Sequence, residues 1–241
     1  MFTRLTALVS ILGFAILAVC HTTSSVRADG LILKLPADGT QVEFKVEAEG
    51  TPAPPEGFKM TIRLSSVGTV QHDGKTCRWI ELGVIVDVDG IATDQHYKFL
   101  VPEDELKQGG NPAANIIKSY KKYGDEKAVE DKDVTNPILS PIPVFFGGPL
   151  KDVKQLDKVK IKSGLGKLEC PGTIGIYERE KDGNSIKSTL TTRTHDKAPF
   201  GVIQAVTKFQ LKKGDVVETG TMTLTLDKVS AGAKSAIPEV K

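Results

Sequence analysis

Apolar and polar residues alternate with period two along most of this chain. Val42, Phe44, Val46 and Ala48 alternate with Glu43, Lys45, Glu47 and Glu49, the pattern of a strand with one buried and one wet face. Phe58, Met60, Ile62 and Leu64 repeat it after a Pro/Gly-rich break, Thr51-Pro52-Ala53-Pro54-Pro55-Glu56-Gly57. The stretch from Cys77 to Val88 lies between Asp73-Gly74 and Asp89-Gly90, pairs that accept the positive φ of tight hairpin turns. A further strand ends at Leu100-Val101-Pro102. Strand patterns return at Val159–Lys162, Thr173–Glu180, Ser188–Thr194, Phe200–Leu211 and Thr219–Leu226, with turns at Asp182-Gly183-Asn184 and Lys213-Gly214-Asp215. Short turns between successive strands predict an antiparallel meander.

Two segments break the alternation. Asn111 can cap a helix, Pro112 suits its first position, and Ile116, Ile117, Tyr120 and Tyr123 recur at helical spacing before Gly124. Lys118, Lys121 and Lys122 would then favour the negative end of the helix dipole. The pattern predicts a helix over Pro112–Tyr123. The second segment, Asn136 to Pro149 (NPILSPIPVFFGGP), is apolar but carries four prolines, so it cannot be a central strand. The predicted fold is mainly β (α+β): one strongly curved antiparallel sheet or half-barrel, with the mid-chain helix over its concave face.

The N-terminus changes the picture of where the chain works. Met1-Phe2-Thr3-Arg4 is followed by an uncharged run from Leu5 to Val19, and Val26 and Ala28 fit the −3 and −1 positions of a signal-peptidase site. This is the order of a secretory signal, and the apolar core is short for a membrane span. The reading is a signal peptide over 1–28 cut between Ala28 and Asp29, a single β-rich domain over 29–230 and a flexible tail over 231–241. The protein is then secreted or periplasmic. An alternative is lipid anchoring at Cys20, where Leu17-Ala18-Val19-Cys20 resembles a lipobox with Val19 in place of a small residue.

Charge and cysteine usage narrow the partners. The chain of 241 residues has 32 basic and 30 acidic residues, and without Arg4 and Arg27 the two are equal. A neutral, mixed surface gives no reason to expect nucleic acid or an anionic membrane. No second apolar run is long enough to span a membrane. Cys77 and Cys170 remain after cleavage, an even pair in an oxidising compartment, which predicts a disulfide. Two buried free thiols are the alternative.

Candidate chemistry is sparse. Asp87-Val88-Asp89-Gly90 with Asp94 looks like the start of a calcium loop, but Phe99 stands near where the chelating Glu belongs. His72, His96 and His195 lack metal-ligand spacing, so no metal or other cofactor is read. His195-Asp196 offers a general base, yet adjacent strand residues point to opposite faces and no Gly-x-Ser-x-Gly elbow is present. The chain reads as non-enzymatic. The apolar loop is the functional lead: Ile138, Leu139, Ile142, Val144, Phe145 and Phe146 form either a cover for the core or a lid over an apolar cavity.

His195-Asp196-Lys197-Ala198-Pro199-Phe200-Gly201-Val202, with Trp79-Ile80-Glu81-Leu82 and Phe99-Leu100-Val101-Pro102, resembles phrases of secreted proteins of planctomycete type. More distantly, the order of elements over about residues 40–229 is similar to the periplasmic lipoprotein-carrier superfamily. That resemblance implies a curved sheet that holds acyl chains in its concave face. The expected ligand is a lipid, another apolar small molecule or an acylated protein, bound by a wall of Phe145, Phe146, Ile116 and Tyr120. The alternative is a structural or interaction module of the cell envelope with a filled core.

Overall fold

The computed structural model of the chain describes residues 27–28, 30–51, 53–107, 110–132, 149–181 and 184–238. Most of the signal segment, Asp29, and Phe145 and Phe146 therefore lie outside the described residues. Among the described residues twelve strands form one antiparallel sheet. They are β1 (Arg27–Ala28), β2 (Gln41–Thr51), β3 (Lys59–His72), β4 (Lys75–Val88), β5 (Ile91–Pro102), β6 (Lys118–Tyr123), β7 (Val129–Glu130), β8 (Pro149–Ser163), β9 (Gly166–Lys181), β10 (Asn184–Thr194), β11 (Val202–Lys213) and β12 (Val216–Ser230). Their spatial order is β1-β8-β9-β10-β11-β12-β2-β3-β4-β5-β6-β7. Two meanders, β2–β7 and β8–β12, are joined where β12 pairs with β2 from Thr219↔Thr51 to Ser230↔Gln41.

The predicted turns set much of this register. Asp73 and Gly74 (φ 48° and 74°) and Asp89 and Gly90 (φ 53° and 84°) occupy the left-handed region that a two-residue hairpin turn requires. The Asp87 carboxylate accepts from Gly90 N at 2.8 Å, so that acidic residue serves the turn.

Alternation then sorts the faces. Val42 and Phe44 of β2, Ile62 and Leu64 of β3, Ile80 and Leu82 of β4, Phe99 and Val101 of β5, Ala205 of β11 and Leu224 and Leu226 of β12 share one core. Phe44, Ile62, Leu64, Ile80, Leu82 and Phe99 are fully buried, and each contributes roughly 1.5–3 kcal/mol. Leu31 and Ile32 join this core with Ala198 and Phe200 of the β10–β11 loop. That end is held by the Ile32↔Gly201 bridge and the bond from Leu33 N to Phe200 O (2.9 Å).

The sheet curls without closing. Gly164 N, in the β8–β9 turn, donates to Leu226 O of β12 at 2.8 Å, although β10 and β11 lie between β9 and β12. The two edges do not pair with each other. One is the two-residue β7. The other is β8, which among the described residues is covered by β1 at Pro149 and Leu150. Lys154, Lys158, Lys160 and Lys162 and two register shifts interrupt the open part of β8, features that discourage edge-to-edge pairing.

Two expectations are corrected. Pro112–Tyr123 is not a helix. Asn111 does cap, accepting from Ala114 N at 3.2 Å, but it opens only one 3-10 turn, Pro112–Asn115. Lys118–Tyr123 then pairs with Leu100–Gln95 as β6. The open edge of β5 offers these residues a complete ladder, and tertiary pairing overrides a helical spacing. Nor are Cys77 and Cys170 bonded; both are buried free thiols. Five strands separate β4 from β9 in the sheet order. Each thiol instead meets a local carbonyl at 3.6 Å, Cys77 that of Lys75 and Cys170 that of Leu168. Burial pushes both thiols above their ordinary pKa. Iodoacetamide at neutral pH is therefore expected to leave the folded, processed protein unlabelled and to label both thiols after denaturation, as intact mass will record. Rapid labelling in the native state would contradict this burial. Among the described residues, no helix is long and apolar enough to cross a membrane.

Candidate functional site

The outer face of β4, β5 and β6 carries the densest chemistry among the described residues. Alternation turns Trp79, Glu81 and Gly83 of β4 away from the core. The register sets Glu81 opposite Lys98, Gly83 opposite His96, and Trp79 opposite Leu100 on β5. Tyr120 of β6 lies beside Lys98, and Lys118 beside Leu100. An outward face of this kind is normally wet. Here Glu81, His96 and Lys98 are only 5%, 6% and 5% exposed, because the segment after β12 lies across them.

That segment is bonded at three points. The Ser235 hydroxyl lies 2.6 Å from Glu81 Oε2. Ala236 N donates to Glu81 Oε1 at 2.9 Å. Lys98 Nζ donates to Ile237 O at 2.8 Å, while its ammonium stands 5.1 Å from the centre of the Trp79 ring. The Ile237 side chain is fully buried. Residues 231–241 read from sequence as a flexible tail, yet Ser235–Ile237 are docked on the sheet.

His96 sits between two carboxylates. Its Nε2 is 2.9 Å from Asp94 Oδ2. Its Nδ1 is 3.5 Å from Glu81 Oε1, an ion-pair distance without a hydrogen bond. The Glu81 carboxylate raises the imidazole pKa, burial opposes it, and Asp94 adds to the rise. For Glu81, burial alone would raise the pKa, but His96, Ser235 and the Ala236 N–H together hold it below the usual carboxylate value. Both imidazole nitrogens are turned to carboxylates. The arrangement suits a charged anchor for backbone groups better than a shared metal centre.

Beside this anchor, Trp79 and Tyr120 form an aromatic pair with ring centres 6.0 Å apart and planes at 38°. With Lys98, Leu100, Lys118 and Pro238 they line a groove of about 270 Å³. Tyr120, one of the expected ligand-wall residues, is in this groove. Ile116 is not; it packs against the core. β6 being a strand and not a helix, the two do not share one wall. His195 lines a separate hollow of about 210 Å³ with Leu33, Lys34 and Thr194. Its Nδ1 accepts from Lys197 N at 3.1 Å, which ties the ring to its own turn.

Sequence reasoning missed the anchoring roles of Glu81 and Lys98. Both stand at alternate positions between apolar residues, and that signal is identical for a wet face and for a face under a docked segment. Ser235-Ala236-Ile237-Pro238 held the missing clue, an apolar residue within a small and polar tail.

No protein-family model matches the chain, and no curated protein matches it in sequence. Among solved structures it is similar to a candidate lipoprotein from Parabacteroides distasonis, at 10% identity over 84% of this chain and 100% of that one, with a TM-score of 0.35. A candidate exported protein with a YmcC-like fold from Bacteroides fragilis matches at 6% identity over 83% and 99%, with a TM-score of 0.34. A β-barrel-like protein of a domain of unknown function from Brucella abortus matches at 10% identity over 83% and 99%, with a TM-score of 0.26. Likeness at this level establishes neither the fold nor the function of this chain.

Proposed function

We propose that this chain is an exported, non-enzymatic interaction module that acts through its surface and not as a carrier with a ligand inside the sheet. One observation carries the choice. On one face of the described sheet Phe44, Ile62, Leu64, Ile80, Leu82 and Phe99 are fully buried together in one core. A carrier of acyl chains needs apolar volume there. The secretory pattern of residues 1–28 supports export, and the Trp79–Tyr120 groove offers an aromatic contact on the outer face. The lipid-carrier alternative rests on Phe145 and Phe146, which lie outside the described residues, and on a distant resemblance.

The test is the native mass of protein exported by its own host. The expected spectrum is a chain beginning at Asp29, with both cysteines reduced and no bound lipid. A stoichiometric lipid that leaves on denaturation would overturn the module reading and restore the carrier. A diacylglyceryl increment on Cys20 would move the same module onto the membrane surface.

A further inference from the structure

The sheet forks between β2 and β3. Their ladder runs from Gln41↔Ser65 to Val46↔Met60 and stops there. On its other side β2 stays paired with β12 as far as Thr51↔Thr219. Glu47 to Thr51 are thus paired on one side only. Ser66 N donates to Thr40 O at 2.9 Å. The two-residue alternation of an antiparallel ladder then turns the backbone groups of Val42, Phe44, Val46, Ala48 and Gly50 toward β3. Beyond Val46, the N–H and C=O of Ala48 face an open cleft of about 790 Å³, and those of Gly50 continue the same edge of β2.

The chain cannot fill this cleft with its own β2–β3 connection. Pro54 and Pro55 have no N–H to give. Phe58 N turns back to Pro55 O at 3.2 Å. Gly57, at φ 75°, is packed against the Asp89 side chain so closely that a Cβ would overlap it. An unpaired strand edge with a local reason to stay unpaired is a template for added strand.

We propose that this fork binds an extended segment of a partner protein by strand addition to Ala48 and Gly50, and that the segment alternates basic and large apolar residues. The alternation follows from the two sides of β2. On the core side Val46 and Met60 approach the core, and Ala48 and Gly50 are small, which leaves room for apolar side chains of the guest. On the outer side Glu47 and Glu49 project, and Glu47 is 70% exposed, with the exposed Lys45 at 3.4 Å and Lys59 lining the same cleft. Residues directly opposite in a ladder interact as pairs, so the guest residues facing Glu47 and Glu49 are Lys or Arg. Either strand direction gives the same alternation. This inference rests on the surface-module reading, but a lipid in the native mass spectrum and a failure of strand addition are separate results.

The probe is the acetylated, amidated heptapeptide Lys-Val-Lys-Val-Lys-Val-Lys, titrated into the full processed protein. Binding is expected to slow hydrogen exchange at the Ala48 and Gly50 amides at least about tenfold while leaving other open amides unchanged. The double variant Glu47→Lys/Glu49→Lys, both on the surface, is expected to weaken binding about tenfold or more, from two reversed cross-strand pairs. N-methylation of alternate peptide nitrogens in the register facing β2 is expected to abolish it. A Glu-Val peptide of the same length is expected to bind at least about tenfold more weakly. The proposal is overturned if the basic peptide does not bind. It is overturned equally if binding leaves Ala48 and Gly50 exchange unchanged, or if the N-methylated peptide binds as well. Those last outcomes would mean simple charge attraction without strand addition.

Discussion

Glu81→Ala is expected to lower stability by about 3–5 kcal/mol, the range for breaking a buried charged pair from one side. Three groups lose their contact with the carboxylate at once. Ala236 N no longer has an acceptor, Ser235 is left with the Ile237 carbonyl alone, and His96 keeps only Asp94. The Ser235–Ile237 segment should leave the sheet and expose Ile237 and Lys98. In a domain of this size the loss corresponds to a fall in Tm of roughly 6–20 °C. Ser235→Ala removes the hydroxyl's bonds to Glu81 and Ile237 but leaves the Glu81 charge and the Ala236 N–H bond in place, and is expected to cost less, about 1–2 kcal/mol. Guanidinium unfolding followed by tryptophan emission measures both, because Trp79 is the only tryptophan in the chain and lies under Lys98. If Glu81→Ala unfolds within about 1 kcal/mol of the parent, the docked segment contributes little to the fold.

The same cluster predicts how the anchor responds to pH. The folded pKa of His96 is raised above its ordinary 6.5. Its contribution is therefore complete below about 6.5 and is lost as pH rises through the folded value. The folded pKa of Glu81 is lowered below its ordinary 4.5. Its contribution is complete above about 4.5 and is lost as pH falls through the depressed value. The anchor is then strongest between about pH 4.5 and 6.5, where carboxylate and imidazolium are both charged. Asp94 and Lys98 face the same cluster. Unfolding midpoints measured from about pH 4 to 9 should show this maximum, and His96→Gln should flatten the alkaline limb and, because His96 is one of the groups that lower the Glu81 pKa, weaken the acid limb without removing it. An alkaline limb that persists in His96→Gln would assign it to another group.

The strands were legible because period two is a direct image of a sheet with one buried face. Val42 to Glu49 and Asp73-Gly74 needed nothing beyond local chemistry. What failed was decided by distant pairing. Tyr120 and Tyr123 have helical spacing with Ile116, but the unpaired edge of β5 makes them a strand, on which they point to opposite faces. Cys77 and Cys170 are an even pair in sequence, while the order of strands that separates them exists only in the sheet. Lys98 looked like any wet-face lysine, since nothing within strand distance announces that Ile237, far along the chain, closes over it. The fork at Val46↔Met60 was half-written: the proline run marked the end of a strand, but not that β2 would continue beside β12 after β3 had departed.

Gly164→Ala is expected to cost about 2–4 kcal/mol, although it adds a single methyl group to a surface turn. The turn Gly164–Leu165 joins β8 to β9 and lies against the backbone of β12. A Cβ on residue 164 would overlap the carbonyl oxygen and carbon of Asp227, and neither is the end of a flexible side chain. Relief requires the turn to withdraw. That breaks the bond from Gly164 N to Leu226 O, worth about 1 kcal/mol, and loosens Leu165, Leu168 and Ile161 where they pack on the core beside Cys170. Forced overpacking of this kind adds about 1–3 kcal/mol. Gly166, two residues on, separates this cause from ordinary glycine conformation. It has φ 93° and nothing within 4 Å of an added Cβ, so Gly166→Ala meets only backbone strain, about 1–2 kcal/mol. Thermal unfolding of the two variants gives the comparison, and iodoacetamide labelling gives the site. Gly164→Ala should open Cys170 to alkylation in the native state and leave Cys77 protected, since the contact it disrupts is what curls β8 and β9 over the C-terminal half. Equal Tm values for the two variants, with Cys170 still protected, would show that this contact does not hold the curl.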